Sequence, residues 1–72
     1  MKVSHVTFHF EPDYVSISGA QSVSFSEGSA YPDLHYITRE GQHIVNFTHP
    51  RDGRRHGIGF PMSGVRQTNT VL

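Results

Sequence analysis

The chain has 72 residues, no cysteine and a formal net charge of zero, with six Lys and Arg balancing six Asp and Glu. That length suffices for one domain, residues 1–72, which buries only about 60% of its unfolded surface and leaves association as the way to bury more. The missing cysteines exclude a disulfide framework, and no stretch approaches the length of a transmembrane helix.

The opening Met1-Lys2-Val3-Ser4-His5 has no apolar run of signal-peptide length, so a cytoplasmic protein is expected. Charge is unevenly distributed. Through Asp33, Lys2 stands against Glu11, Asp13, Glu27 and Asp33; beyond it, Arg39, Arg51, Arg54, Arg55 and Arg66 stand against Glu40 and Asp52. These halves suit each other within the fold or between copies, or leave a basic patch for a partner.

Lys2 to Phe10 alternates, with Val6, Phe8 and Phe10 on one face and His5, Thr7 and His9 on the other, which predicts a first strand. Glu11-Pro12-Asp13 closes it, because proline removes a ladder donor. Val15-Ser16-Ile17-Ser18 and Val23-Ser24-Phe25-Ser26 repeat the same period of two, so a serine-rich ribbon is expected next. A three-residue loop, Gly19 to Gln21, pairs Ile17 with Val23, Val15 with Phe25, Ser16 with Ser24 and Ser18 with Ser22. A two-residue loop would set apolar side chains against polar ones.

Glu27 to Asp33 reads as a loop. Leu34–Arg39 and Gln42–Thr48 flank Glu40-Gly41, a two-residue hairpin turn. Pairing Leu34 with Phe47 and Tyr36 with Val45 makes an apolar face; His35 with Asn46 and Ile37 with Ile44 make a mixed one. The competing reading is a short helix around residues 32–40, framed by Pro32 and Gly41, which would make the fold α+β. Ile37 and Thr38 oppose it. His49 to Gly57 is a polar turn, Ile58 to Phe60 a short strand, Pro61 to Gly64 another turn, and Val65 to Leu72 a last strand with Val65 and Val71 on one face.

An all-β fold follows, a small barrel or sandwich of about five to six short antiparallel strands. Its expected core is Val6, Phe8, Phe10, Val15, Ile17, Val23, Phe25, Leu34, Tyr36, Val45, Phe47, Ile58 and Phe60.

The chemistry concentrates in the loop from Arg51 to Gly57. Arg51, Arg54, Arg55 and His56 stand in a glycine-bounded turn, and with Arg66 they are the candidate partner-binding residues. Arginine suits bidentate contacts to carboxylate or phosphate, and an acidic protein surface is the expected partner. Zero net charge weakens nucleic acid as a partner, and Tyr14, Tyr31 and Tyr36 would be needed for any stacking platform. His5 and His9 share a face but lie roughly 13 Å apart, too far for one ion. His49, Asp52 and His56 can converge within one loop, though their spacing matches no recognised site. No metal, cofactor or catalytic group is therefore expected. Asn46-Phe47-Thr48 has the form of a glycosylation acceptor but falls in a strand.

The stretch from Val15 to Ser26 carries no charge and no proline, so nothing guards its edge against another strand. The expected role is a non-enzymatic interaction module that binds another protein through that edge and the arginine loop, with homo-oligomers possible and no membrane involved. Minimal domains of this size occur among phage and mobile-element products that modulate a host factor. The alternatives are a nucleic-acid-binding small barrel and a self-associating structural or virion subunit.

Overall fold

Val6, Phe8 and Phe10 point inward between His5, Thr7 and His9, and this alternation makes β1 (His5–Phe10) the middle strand of its sheet. A computed structural model describes all of residues 1–72. After β1 come a helix α1 (Pro12–Ser18), β2 (Ser22–Ser26), β3 (His35–Arg39), β4 (Gln42–Thr48), β5 (Arg55–Pro61), a 3₁₀ turn (Met62–Gly64) and β6 (Val65–Val71). Six short strands thus form two three-stranded antiparallel sheets, β2-β1-β6 and β3-β4-β5. This is the expected all-β class, as two facing sheets.

The sheets meet through aromatic rings. Phe8 packs against Tyr36 and Phe60 of the opposite sheet at centroid separations of 5.7 and 5.2 Å, and Phe25 lies 6.3 Å from Phe60. Val3, Val6, Phe8, Phe10, Phe25, Leu34, Val45 and Phe47 form the buried core. Phe25 against Phe60 sets β2 over β5, so the open edges of these two strands share one flank.

The β3–β4 hairpin has the expected register: His35 pairs with Asn46, Tyr36 with Val45 and Ile37 with Ile44. Its two turn residues, Glu40 and Gly41, have φ of +52° and +75°, the double left-handed turn that matches the strand twist. Residues 35–39 are therefore strand, and the alternative helix at 32–40 does not form. Hydrogen bonds from the Val3 amide to Leu34 and from the Tyr36 amide to Met1 lay the N-terminal residues along the other side of β3.

The serine ribbon is the main correction. Pro12 to Ser18 is helix, not strand. Pro12 stands at its start, Asp13 lies in its first turn, and Gly19 closes it at φ +81° with its amide bonded to Val15 O at 2.7 Å. These are the framing signals that Pro32 and Gly41 imitate. Val23 and Phe25 pair instead with Phe8 and Val6, while Ser22 and Ser24 pair with His9 and Thr7. Both faces match, and Phe25 gains the core. The local hairpin offered only Val15 and Ile17 as apolar partners. Tyr14 and Val15 pack from α1 onto the core, and Ile17, expected inside, is 84% exposed. Val3, absent from the expected core, is buried.

One more register detail matters. His9 pairs with Gln67 but Phe10 with Val65, so Arg66 is the extra residue of a bulge. In a regular ladder Arg66 would stand opposite Phe10 and face the core. The bulge gives that place to Val65 and turns Arg66 outward. It also separates Val65 and Val71, which end on opposite faces.

Changing the ring that joins the sheets and changing the exposed face of the helix should have very unequal consequences. Phe8→Ala is expected to cost about 3–5 kcal/mol, enough to unfold so small a domain. Ile17→Ser should stay within about 0.5 kcal/mol of the parent. Urea denaturation followed by circular dichroism measures both.

Candidate functional site

The β4–β5 connection carries the arginine cluster. The ladder continues one step beyond the strands, with the His49 amide bonded to Arg54 O at 2.7 Å. The Gly53 amide closes the turn on His49 O at 2.9 Å, with Gly53 at φ +69°. Arg51 and Arg54 are exposed and make no ion pair.

Arg55 behaves differently. Its Nη1 donates to Asp33 O at 2.9 Å, to Asp33 Oδ2 at 3.2 Å and to Thr48 Oγ1 at 3.1 Å. Its Nη2 donates to Asn46 Oδ1 and approaches His35 Nδ1 at 3.3 Å. This fork holds Asp33 in the left-handed conformation, φ +55°, and binds the loop before β3 to β5. It is also where the acidic half of the chain meets the basic half.

His56 faces inward with Phe47, its ring stacked 6.3 Å from that phenyl. Arg66 lies elsewhere. Arg55 and Pro61 are the two ends of β5, roughly 20 Å apart, and Arg66 follows beyond Pro61. It lines a hollow of about 300 Å³ with Phe10, Pro12, Val15 and Gln21. Arg51, Arg54, Arg55 and His56 therefore form one cluster, and Arg66 belongs to another place.

The same loop gathers His49, Asp52 and His56, whose ligand atoms all lie within 4.8 Å of one another. Asp52 Oδ2 is 3.2 Å from His56 Nε2, and Oδ1 is 3.9 Å from His49 Nδ1. The Arg54 amide donates to Asp52 Oδ1 at 2.9 Å and holds the carboxyl below its usual range, helped by His56.

Opposite the core, the β2-β1-β6 sheet presents small polar groups. His5 bonds Ser26 Oγ at 2.8 Å and Thr7 Oγ1 at 2.9 Å, and Thr7 bonds Ser24 Oγ at 2.9 Å. At the edge of this face lies β2. The Phe10 amide bonds Gln21 O and the Glu27 amide bonds Ser4 O. Antiparallel alternation then turns the peptide groups of Val23 and Phe25 toward β1, and those of Ser22, Ser24 and Ser26 away from it.

All phenylalanine and tyrosine rings are buried or half-buried. Tyr14 packs on Phe10, Tyr31 on Phe25 and Phe47, and Tyr36 on Phe8. No tyrosine platform faces outward. His43 is the polar residue that the residue pattern had not singled out. It shares the inward face of β4 with Val45 and Phe47, and that parity was the available signal. Tyr36 Oη and His43 Nδ1 are 2.7 Å apart, with the rings stacked. Burial pushes the Tyr36 hydroxyl up, against a smaller opposing bond from Thr68, and pushes the His43 imidazole down.

Comparison with known proteins found no matching protein-family model, no matching curated protein and no matching solved structure. No helix is long and apolar enough to cross a membrane.

Two measurements test this description. Arg55→Ala should lower stability by about 1 kcal/mol through loss of charge-assisted bonds at a partly exposed site, whereas Arg51→Ala should change it by less than about 0.5 kcal/mol in the same urea titration. The second concerns pH. His43 binds its proton less readily folded than unfolded, so the unfolded chain carries more protons just below pH 6.5. Its contribution is complete above 6.5 and is lost as pH falls through the folded value. Between pH 7.5 and 5, stability should fall less steeply in His43→Gln than in the parent.

Proposed function

We propose that this chain is a non-enzymatic interaction module that takes up an extended segment of another protein along the open edge of β2. The observation that carries this reading is the edge itself. Ser22, Ser24 and Ser26 turn their amides and carbonyls away from β1, and no charge, proline or bulge lies in the strand. The other open edges are better guarded. β5 begins at Arg55 and ends at Pro61, and β6 carries the Arg66 bulge.

An acidic partner is supported by position as well as charge. Ring contacts from Phe25 to Tyr31 at 5.1 Å, Tyr31 to Phe47 at 4.9 Å and Phe47 to His56 at 6.3 Å connect β2 with the arginine loop. A segment that lies on β2 and runs on past Tyr31 toward that loop would meet unpaired Arg51 and Arg54 with its carboxylates, the main chain supplying affinity and the arginines supplying choice. The burial of the aromatic rings and the zero net charge favour this over nucleic acid. The non-enzymatic part rests on the two surface hollows. One has Arg66 as its single titratable group; in the other, beside Lys2 and Glu27, the Ser4 hydroxyl donates to Val71 O and is not bonded to a carboxylate or imidazole.

Ser24→Pro removes one outward amide and leaves the main-chain bonds to β1 in place, and Ser24→Ala matches its loss of the hydroxyl bond to Thr7. It is expected to weaken capture of the partner at least about tenfold relative to Ser24→Ala, and the Ser22, Ser24 and Ser26 amides should exchange more slowly in the complex. Equal capture by both variants overturns the edge reading. Concentration-dependent mass in sedimentation, abolished by Ser24→Pro, would make the partner a second copy of this chain.

A further inference from the structure

We infer that His49, Asp52 and His56 form a binding site for a divalent transition-metal ion of the zinc type, with one coordination position left open. The site is separate from the β2 edge and does not depend on the role proposed for it.

Its donors come from three places that the hairpin brings together. His49 follows β4, Asp52 lies in the turn and His56 is in β5. His56 pairs with Phe47, and His49 with Arg54 through its amide, so the two histidines are diagonal neighbours on one face of the hairpin. Their rings are 4.6 Å apart, and the Asp52 carboxylate reaches both. Sequence spacing lets these three converge within one loop but matches no recognised ligand motif. The cross-strand register supplies the proximity.

Asp52 and His49 already present lone pairs, and His56 Nε2, which donates to Asp52 Oδ2, gives up that proton when an ion binds. The Arg54 amide donates to Asp52 Oδ1, which leaves Oδ2 beside His56. His49 Nδ1 accepts the Arg51 amide at 3.1 Å, so that nitrogen carries a lone pair and not a proton. Tetrahedral zinc, with bonds of about 2.0–2.2 Å, needs donors about 3.3 Å apart. The present spread of up to 4.8 Å closes by side-chain rotation, since His49, Asp52 and His56 expose 34%, 44% and 43% of their side chains. On closure the Arg51 amide passes from His49 to water. The hairpin bonds and the stacking of His56 on Phe47 keep the backbone in register throughout.

Two imidazoles and one carboxylate select zinc, cobalt or nickel over magnesium or calcium, which prefer oxygen donors. Three protein ligands leave a fourth position for water, or for a carboxylate brought by another molecule.

The test is calorimetric titration of the full chain with zinc chloride at pH 7.5, with cobalt(II) absorption as an optical readout of coordination. One ion per chain is expected, with an intense visible cobalt band and no heat from magnesium or calcium. Asp52→Asn keeps an acceptor for the Arg54 amide, so the loop should persist while zinc affinity falls about tenfold or more; His56→Gln should do the same. His5→Gln and His9→Gln should bind as the parent does. Absence of zinc binding by the parent at millimolar ion, or undiminished affinity in both Asp52→Asn and His56→Gln, overturns the site.

Discussion

Everything in this fold depends on the packing of one ring between two small sheets. Phe8, fully buried, touches Phe25 of its own sheet and Tyr36, His43 and Phe60 of the other. A 72-residue chain without disulfides has few other ways to join two three-stranded layers. That requirement explains why β2 leaves its sequence neighbours and pairs with β1. Only there does Phe25 reach both Phe8 and Phe60. The helix α1 follows from this choice, since the chain must return from the end of β1 to the start of β2 and its framing residues already favour a helical turn.

The polar groups are arranged around this core in two distinct ways. Inside, Tyr36 and His43 bond each other between the sheets, so neither is left unpaired, and burial shifts both toward their neutral forms. Outside, the second-half arginines divide by partner. Arg55 is occupied by Asp33, Thr48 and Asn46 and acts as a clasp between the β3 loop and the β4–β5 hairpin. Arg51 and Arg54 make no ion pair and remain available. A run that looks uniform in sequence therefore contains one structural residue and two free ones, and Arg66 belongs to a different end of the molecule because a bulge turns it there.

Much of the fold was legible where a local rule and the tertiary arrangement agree. The β3–β4 register follows from the Glu40-Gly41 turn and from apolar residues opposing one another across it. β1 follows from its alternation alone. At Val15 to Ser18 the period of two points to a strand, although Pro12, Asp13 and Gly19 frame the helix that forms. Alternation over four residues cannot separate the two, because in a helix Val15 faces the core while Ile17 points to solvent. The candidate site was legible in part: the arginine loop was visible from composition, but the convergence of His49, Asp52 and His56 depends on diagonal positions across a hairpin. Among the six histidines, His43 is set apart in the sequence only by its parity with Val45 and Phe47.

By itself the sequence determined the all-β class, the first strand, the Glu40-Gly41 hairpin and most of the core. These depend on side-chain alternation and turn conformation, which act over a few residues. Tertiary structure alone decided that β2 pairs with β1 and that Arg66 turns outward. Each is a choice among partners distant along the chain. It is settled by which arrangement buries Phe8 and Phe25 against the opposite sheet, and no local pattern carries that information.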